Sequence, residues 1–390
     1  MLRFYDDSAL AVAAHVLIEG PVSRADLARE LGLSGATLTR LVRPLINGGL
    51  IDDGGIGVPQ TGVGRPTQLL EIPPAEHHFV GINLTSTTVH AALTDARSQG
   101  LAGQATKLRS TDPHSVAEQI RETIATLVEQ QQSGWQHLRG IGISLGGQVS
   151  GGVVEHSRFF GWDDVDLLSM VGPVRDLPVL LHNDLVALTM LEQWFGLGRT
   201  HPSFMVTSVG SGIGHGLVHH GRAVDPVFRG HGTTSHIPLA GAHGVCQYGH
   251  LGCANGALTT GAVLSRAGAG RSITVGDSRP HDLDDLVALA RAGDLSCCNA
   301  IAEFSQNLAT YVQTVCSAAM VVDAVLDGEA VPLLETPWAS GFDEQLTRFH
   351  NPRLPALNVH RRSGSFERWA RGAAATAIVH WLETQVDLQR

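Results

Sequence analysis

The feature that most constrains this chain is the break at Pro73-Pro74, where one kind of sequence pattern gives way to another. Before the break, apolar residues recur at helical spacing, and a glycine-rich stretch follows from Asp52 to Glu71. After it come short β runs joined by tight turns. Because two adjacent prolines stop regular secondary structure, the break predicts a linker between two folded parts. At 390 residues the chain also exceeds one ordinary core, so two or three domains are expected.

The part after the break predicts an α/β fold. Three consecutive strands are predicted at His78–Leu84, Thr88–Thr94 and Leu101–Leu108, and an amphipathic helix at Val116–Gln131. The later predicted elements are strands at Ile141–Ser144, Val179–Leu181, Phe204–Val209, Ile213–His219 and Val321–Leu326, and helices at Asp184–Phe195, Ala257–Ala267, Leu283–Ala292, Asn299–Ser317 and Glu367–Gln385. Strands that meander first and then alternate with helices are typical of α/β proteins.

Composition indicates a globular chain in a reducing compartment. Hydrophobic residues make up 43% and charged residues 16% of the chain, which excludes a disordered protein. The apolar stretch Leu10–Ile18 lacks the flanks of a signal peptide, and Leu308–Leu326 is interrupted by polar residues, so no membrane span is expected. Five cysteines, an odd number, favour free thiols in the cytoplasm over a disulfide framework.

The first part predicts a helix-turn-helix. A first helix is expected at Ala11–Glu19, and Ser23 is a natural N-cap for a second helix at Arg24–Leu31. Gly32 closes the second helix, and Ser34 caps a third that runs to about Asn47. This order of two helices and a tight turn is the one in which the last helix enters the major groove of DNA.

The third helix has two faces of different chemistry. Its apolar residues recur at helical spacing and are Leu38, Leu41, Val42 and Leu45. The opposite face and the cap are small, hydroxylated or basic and consist of Ser34, Ala36, Thr37, Thr39, Arg40 and Arg43. Although the net charge of the chain is -10, no acid lies between Ser34 and Leu50. This face therefore predicts binding to double-stranded DNA, with the arginines reading guanine or holding phosphate.

A β hairpin from Asp52 to Glu71 completes the predicted winged helix. Its segment Gly62–Pro66 places Arg65 on a narrow loop, where it could enter a minor groove of negative potential. A hairpin behind three helices is also found in protein-interaction domains, and this alternative stays open on the pattern alone.

The segment Val22–Pro66, with SRADLARELGLSGATLTRLVRPLINGGLI and then GVGRP, resembles the N-terminal domain of regulators of the ROK family (repressor, open reading frame, kinase), of the xylose and N-acetylglucosamine type. The resemblance implies a winged helix-turn-helix at 1–72, followed by a two-lobed, actin-like sugar-kinase domain of the ribonuclease H-like class. The first lobe is then 73–182, completed by a C-terminal helix at 365–390, and the second lobe is 183–364.

At three motifs the resemblance implies a lost nucleotide site. The family's phosphate loop appears as Gly81–Thr88, with Asn83 in place of its metal-holding Asp and without its Lys, which favours an ordinary hairpin. The second phosphate turn is similar to Gly210–Gly216, and the adenine-side turn appears as Asp327-Gly328-Glu329. No ATP binding and no kinase activity are therefore expected.

The sugar pocket is retained in altered form. The ligand-binding residues that the resemblance implies are Gly146, Gly147, Arg158, Asn183, Asp184, Thr233, His236 and Asn255. Asp184 matches the general base of the kinases, although at the start of a helix it could equally be an N-cap. Thr233 and Asn255 replace two carboxylates, and Arg158 replaces a neutral Asn. The pocket is thus about three charges more positive than in the kinases, which favours a sugar phosphate or sugar acid, unless Arg158 points to solvent or pairs with Asp163 or Asp164.

The resemblance also implies a zinc site, but an incomplete one. The family's structural zinc is held by a His and three Cys, and the matching positions here are His236, Cys246, Tyr248 and Cys253. Tyrosine is a poor zinc ligand, so a fourth ligand is missing unless His243 or His250 replaces it. The alternative is a site without metal, in which both thiols pack as hydrophobic groups.

Together these features predict a DNA-binding transcriptional regulator, expected to be a repressor, with a sugar-like effector and a homodimeric or homotetrameric assembly in the cytoplasm. An alternative is an ATP-dependent sugar kinase with an appended DNA-binding head. A third hypothesis is a regulator without a small ligand, controlled by a protein partner.

Overall fold

The structure is a computed structural model that describes residues 7–57, 67–130, 134–224, 235–269, 280–348, 350–362 and 364–389. The chain forms two compact units. The first contains residues 1–202, 220–222 and 367–390, and the second contains residues 203–219 and 223–366.

The helices are α1 (Ser8–Glu19), α2 (Arg24–Leu31), α3 (Gly35–Asn47), α4 (Pro113–Glu129), α5 (Leu167–Val171), α6 (Asp184–Phe195), α7 (Ala254–Leu258), α8 (Thr260–Gly268), α9 (Leu283–Arg291), α10 (Leu295–Ala319), α11 (Gly341–Arg348) and α12 (Phe366–Asp387). Three helices lie near the start of the chain, and four consecutive helices, α7 to α10, precede the last two strands. Across the described part of the chain, no helix combines the length and the apolar character that a membrane span requires.

The strands form four sheets. They are β1 (Val22–Ser23), β2 (Asp52–Gly57), β3 (Thr67–Glu71), β4 (His78–Leu84), β5 (Thr88–Asp95), β6 (Gly100–Lys107), β7 (Leu138–Leu145), β8 (Gln148–Ser150), β9 (Val153–Ser157), β10 (Trp162–Val165), β11 (Val179–Asn183), β12 (Phe204–Val209), β13 (Ile213–His219), β14 (Arg222–Ala223), β15 (Asp323–Asp327) and β16 (Asn358–Arg361).

Local capping chemistry sets the helices of the head, which comprises described residues 7–57 and 67–72. The side chain of Ser23 accepts a hydrogen bond from the amide of Asp26, and that of Ser34 accepts one from the amide of Thr37. Between them Gly32 ends α2 in the left-handed conformation, at φ 67°, which is the region where a residue without Cβ is favoured. The strand order β1-β3-β2 then completes a winged helix-turn-helix, as the sequence predicts.

The head shares its hydrophobic core with α12. Buried residues of α1, α3 and β3, among them Leu17, Val42 and Leu70, belong to the same cluster as Ile378 and Leu382 of α12. Removing such side chains from water is the main stabilising contribution to folding. The predicted domain 1–72 is therefore not a separate compact unit, because its core is completed by the far end of the chain.

Arg97, in the turn between β5 and β6, also holds the head to the rest of the first unit. Its guanidinium donates from Nε to the carbonyl of Leu17 over 2.7 Å and from Nη2 to the carbonyl of Gly20. These carbonyls lie at the C-terminal end of α1, where backbone acceptors lack partners inside the helix and the helix dipole favours a cation.

The main sheet of the first unit has the order β11-β7-β4-β5-β6. Strands β11, β7 and β4 are parallel to one another, β5 is antiparallel to β4, and β6 is antiparallel to β5. α12 packs against it at two glycines. A Cβ on Gly81 would lie 1.8 Å from the carbonyl oxygen of Ala370, and a Cβ on Gly142 would lie 1.8 Å from that of Ala373. Only glycine lets helix and sheet approach this closely.

The predicted boundary between the lobes, at 182/183, lies within the first compact unit. The first compact unit continues to Pro202 and so includes α6. The reason is close packing of α6 on α12, since a Cβ on Gly372 would lie 3.0 Å from the carbonyl of Ala187. Trp194 of α6 also belongs to the core cluster that contains Trp381 of α12.

The second unit is built around the sheet β14-β13-β12-β15-β16. α10 is its central helix and contributes Phe304, Leu308 and Val312 to a core that also contains Leu326 of β15. The first unit holds a further sheet, β10-β9-β8, that the sequence pattern does not predict. Its strands have three to five residues, which is too short for a clear alternation.

Candidate functional site

The exposed face of α3 carries the residues that the sequence assigns to DNA. Ala36, Thr39, Arg40 and Arg43 are exposed, whereas Leu38, Val42 and Leu45 on the other side are buried in the head. Leu41, predicted to be buried with them, is only half-buried. Within the described ranges, neither arginine forms an ion pair with an acid, so both guanidinium groups can meet an external anion.

Three hydroxyl groups near the start of α3 are engaged within the helix itself. Ser34 caps the amide of Thr37, and the hydroxyls of these two residues lie 2.9 Å apart. Thr39 donates to the carbonyl of Gly35 over 2.8 Å. Ser34 and Thr37 therefore fix where α3 begins, and the two arginines remain its free hydrogen-bond donors. Arg65, predicted on the wing, lies outside the described residues.

A second group of predicted residues meets where β11 ends and α6 begins. Asn183, not Asp184, is the N-cap of α6: its Oδ1 accepts from the amides of Leu185 and Val186. Its Nδ2 donates over 2.9 Å to the carbonyl of Gly147. Since both ends of this amide are engaged with backbone, Asn183 joins the glycine turn to α6.

Asp184 is thereby free of the capping role and faces the glycine turn. Its Oδ2 lies 3.4 Å from the position that a Cβ on Gly146 would occupy. Burial of the carboxyl raises the pKa of Asp184 to about 6, against an opposing hydrogen bond from the amide of Leu185. A carboxyl group with a pKa near neutrality can accept or donate a proton at physiological pH.

Arg158 reaches the same turn through an aromatic ring. Its guanidinium stacks on Phe159 at 4.9 Å from the ring centroid. The ring of Phe159 in turn lies 2.9 Å from the Cβ position of Gly146. Arg158 is exposed. Asp163, one of the two acids left open as a partner of Arg158, is paired with His156 over 2.7 Å. The ring of Phe159 therefore lies between the Arg158 guanidinium and the turn that Asp184 faces, with the guanidinium on the solvent side.

The turn between β4 and β5 uses its own side chain to satisfy its backbone. The Thr85 hydroxyl accepts from the amides of Thr87 and Thr88, and it donates to the carbonyl of Thr88. Asn83 is buried and donates from Nδ2 to the Ser144 hydroxyl over 3.1 Å. The amides of Thr87 and Thr88 are thus engaged within the turn itself.

A carboxylate lies on the second glycine turn, Gly210-Ser211-Gly212. Glu329 Oε1 accepts from the Ser211 hydroxyl over 2.9 Å and from the Thr260 hydroxyl over 2.8 Å. Its Cγ is 2.9 Å from the position of a Cβ on Gly210. Thr260 is the first residue of α8, so the carboxylate also lies at a helix N-terminus, where a negative charge is stabilised.

Four potential metal ligands converge in the second unit. The ligand atoms of His236, Cys246, His250 and Cys253 all lie within 4.8 Å of one another. The Nδ1 atoms of the two histidines are 3.3 Å apart, and Cys253 Sγ is 3.5 Å from His236 Nδ1. Tetrahedral zinc with His and Cys ligands requires separations of about 3.3 to 3.8 Å between ligand atoms, so this group fits the geometry.

His250, rather than His243, thus takes the place of the missing thiol. Tyr248 is 62% exposed, and its ring packs at 5.3 Å from that of His236 without joining the ligand group. Burial acts to raise the pKa of the Cys246 thiol, but hydrogen bonds with the backbone of Tyr248 and His250 outweigh it and lower that pKa. The donor set is therefore two imidazoles and two thiols, one of them biased toward the thiolate that binds metal.

Two predicted ligand-binding residues remain to be placed. Asn255 lies in α7, two residues after Cys253. Its backbone amide donates to the carbonyl of Ser235 over 2.7 Å, which ties it to the segment that bears His236. Thr233 lies outside the described residues. Phe159 and Glu329 were not predicted as site residues, because an aromatic ring under a cation and a carboxylate on a distant turn leave no local signal.

Comparison with known proteins agrees with the architecture. A sequence model of the ROK family matches residues 79–376. The xylose repressor of Bacillus subtilis (strain 168) is 24% identical over 290 residues, which are 74% of this chain and 73% of that repressor.

Two solved structures share the fold. A crystal structure of a ROK family transcriptional regulator, a homolog of the E. coli MLC protein, has a TM-score of 0.75 at 21% identity and covers 97% of this chain and 98% of its own. The ROK hexokinase from Thermus thermophilus has a TM-score of 0.63 at 23% identity and covers 77% of this chain and 97% of its own. At these identities the likeness concerns the fold.

Proposed function

The chain belongs to the ROK family and is a DNA-binding transcriptional regulator, and from this premise we propose that it binds an operator through the exposed face of α3. One observation carries the proposal: Arg40 and Arg43 stand on an exposed helix face with no acid beside them. A helix presented in this way by a winged helix-turn-helix reads base edges at its N-terminal part and holds phosphate along its length.

The experiment uses a duplex enriched from a random-sequence library by the full-length protein. Each arginine that meets a phosphate contributes about 0.9 to the slope of log K against log salt. Arg40→Ala with Arg43→Ala should therefore weaken binding and flatten this slope by up to about 1.8. Arg291→Ala, at an exposed position of the second unit, is the matched control and should change neither. Retention that is unaffected by the double substitution would refute the proposal.

The effector that we propose is a sugar derivative held near the Gly146–Gly147 turn, with Asp184 accepting a hydrogen bond from a sugar hydroxyl. Arg158 and the loss of carboxylates at Thr233 and Asn255 support an anionic sugar, such as a sugar phosphate or sugar acid. The xylose repressor carries a sugar in its name. We expect the effector to bind one conformation of the protein more tightly than another, since a ligand shifts a conformational equilibrium only in this way.

A thermal-shift series tests this choice of ligand. Acidic sugars should raise the melting temperature of the wild-type protein, and Arg158→Gln should lower that shift while leaving the shift from neutral sugars unchanged. Stabilisation by neutral sugars alone would contradict the anionic assignment and leave a neutral effector.

We infer further that the kinase chemistry of the fold is absent. Two contacts support this. The Thr85 hydroxyl accepts hydrogen bonds from two amides of the turn between β4 and β5, and the Glu329 carboxylate accepts one from Ser211 in the second glycine turn. A nucleotide phosphate placed there would meet a like charge. The alternative, a sugar kinase with a DNA-binding head, is favoured by the pKa of Asp184 alone. ATP-coupled phosphorylation of any sugar that disappears in Asp184→Asn would establish the alternative.

We propose that the His236, Cys246, His250 and Cys253 group holds zinc in a structural role. The metal would join the segment at His236 to the turn formed by residues 246–253, and no open coordination position is left for catalysis.

The homodimer or homotetramer expected of an operator-binding regulator is likewise proposed, since two heads at half-sites spaced by helical turns need two chains.

A further inference from the structure

The side chain of Gln389 lies against the recognition face of α3. Gln389 follows α12 at the end of the described chain, and its amide hydrogen bonds to the carbonyl of Val386, which continues the last helical turn. A Cβ on Gly48, the residue that ends α3, would lie only 2.0 Å from the Gln389 side chain. The end of α12 therefore packs directly on the end of α3.

An open recess of about 620 Å³ lies along the exposed face of α3 and reaches Gln389. This α3 recess is lined by Ala36, Thr39, Arg40, Arg43, Pro44, Asn47, Gly48 and Gln389. Its charged groups are two cations, its neutral amides are those of Asn47 and Gln389, and no acid contributes to it. The lining is rich in hydrogen-bond donors and carries a net positive charge, which is the chemistry that recognises a phosphodiester.

We propose that the α3 recess seats one sugar-phosphate strand of the operator, and that Gln389 donates a hydrogen bond from its side-chain amide to a phosphate of that strand. This inference rests on the proposed DNA binding by α3. It adds a DNA contact from outside the winged helix, supplied by the helix that packs on the main sheet of the first unit.

Gly48 gives the recess its width at this end. Its φ of -79° is open to any residue, so the conformation of the turn does not require glycine. The space is needed by the flexible side chain of Gln389 instead. Gly48→Ala should therefore displace the Gln389 amide at little cost to the fold.

The test measures affinity and salt dependence for the duplex enriched by the full-length wild-type protein. Gln389→Ala should weaken binding roughly ten-fold or more through loss of one hydrogen bond to a charged group, equally for enriched and scrambled duplexes, with an unchanged salt slope. Gln389→Lys should restore or exceed wild-type affinity and steepen the slope by about 0.9, because a cation then meets the phosphate. Gln99→Ala, at an exposed glutamine of the first unit, is the control and should change nothing.

Gly48→Ala and Gln389→Ala should not be additive, since each removes the same amide from the recess. An unchanged slope in Gln389→Lys, with a melting temperature equal to that of the wild type, would overturn the inference. DNA binding by α3 would then stand if the Arg40 and Arg43 variants still flatten the slope. Wild-type protein that retains no duplex would instead refute the proposed function and this inference with it.

Discussion

At the scale of single residues, Asp184 is half-buried and its carboxyl group is enclosed. Asn183 takes over the capping of α6, and the Asp184 side chain is left facing the Gly146 turn. Because burial disfavours the charged form, the carboxyl stays protonated to higher pH than a free one. The group that we propose as a hydrogen-bond partner of a sugar hydroxyl is thus held in place at a cost in stability.

This cost predicts a pH dependence. The pKa of Asp184 is raised from 3.8 to about 6 in the folded protein, so the folded state binds the proton more tightly and loses stability as pH rises between these values. Asp184→Asn should be more stable than the wild type at pH 8, by at most about 3 kcal/mol. The difference should vanish near pH 4. Thermal denaturation across this range checks it, and a constant offset at every pH would contradict it.

His250 is the second residue whose role rests on its neighbours. Purified protein should contain about one zinc per chain if four ligands close the site. His250→Ala should lose this metal and lower the melting temperature, whereas His243→Ala, outside the ligand group, should keep both unchanged. Metal content by mass spectrometry is the measurement. Protein that contains no zinc and takes up none on reconstitution would exclude the assignment.

At the scale of elements, α12 is the helix that connects the parts of the first unit. Near its start, Arg368 donates to the buried carboxylate of Glu192 in α6. Along its length it packs on the sheet at Gly81 and Gly142, and beyond its end Gln389 lies against α3. The helix and the residue just beyond it therefore contact α6, the main sheet and the end of α3.

Substituting Arg368 should show how much its ion pair with Glu192 stabilises the protein. Glu192 is 1% exposed at its side chain, and a buried charge left without its partner costs about 3 to 5 kcal/mol. Arg368→Ala should lower the free energy of unfolding by about that amount, measured by chemical denaturation. Adding Glu192→Gln should recover part of the loss. Arg109→Ala, which breaks the exposed pair with Glu122, should leave the midpoint within error.

At the scale of the whole molecule, the head shares its hydrophobic core with the C-terminal helix. Its buried residues belong to a cluster that α12 completes with Ile378, Trp381 and Leu382. Cutting the chain after the head would expose this apolar surface to water, at about 25 cal/mol for each Å².

A fragment of residues 1–76 should therefore fold poorly by itself. We expect it to melt at a much lower temperature than the full chain, or without a cooperative transition, when followed by circular dichroism. The full-length variant Trp381→Ala should weaken the head in the same direction, detected as faster proteolysis between residues 1 and 76. A fragment that melts cooperatively at the temperature of the full protein would show that the head is autonomous.

Much of the architecture could be predicted because its causes are local. Ser23, Gly32 and Ser34 mark the ends of α2 and α3 through hydrogen bonds to neighbouring amides, and β4, α6, β12 and β13 have the bounds that their apolar patterns predict. The extent of the first compact unit, which continues to Pro202, could not be predicted, since it depends on the packing of α6 against a helix almost two hundred residues away.

The amino-acid sequence by itself determined most of the longer helices and strands, the acid-free face of α3 and the residue types available for metal and ligand. Only the tertiary structure decided that His250 joins His236, that Glu329 reaches Ser211 across 118 residues, and that Gln389 borders the recognition helix. Short-range hydrogen bonds and periodicity leave a mark on neighbouring residues, whereas contacts between distant segments depend on how whole elements pack and leave no such mark.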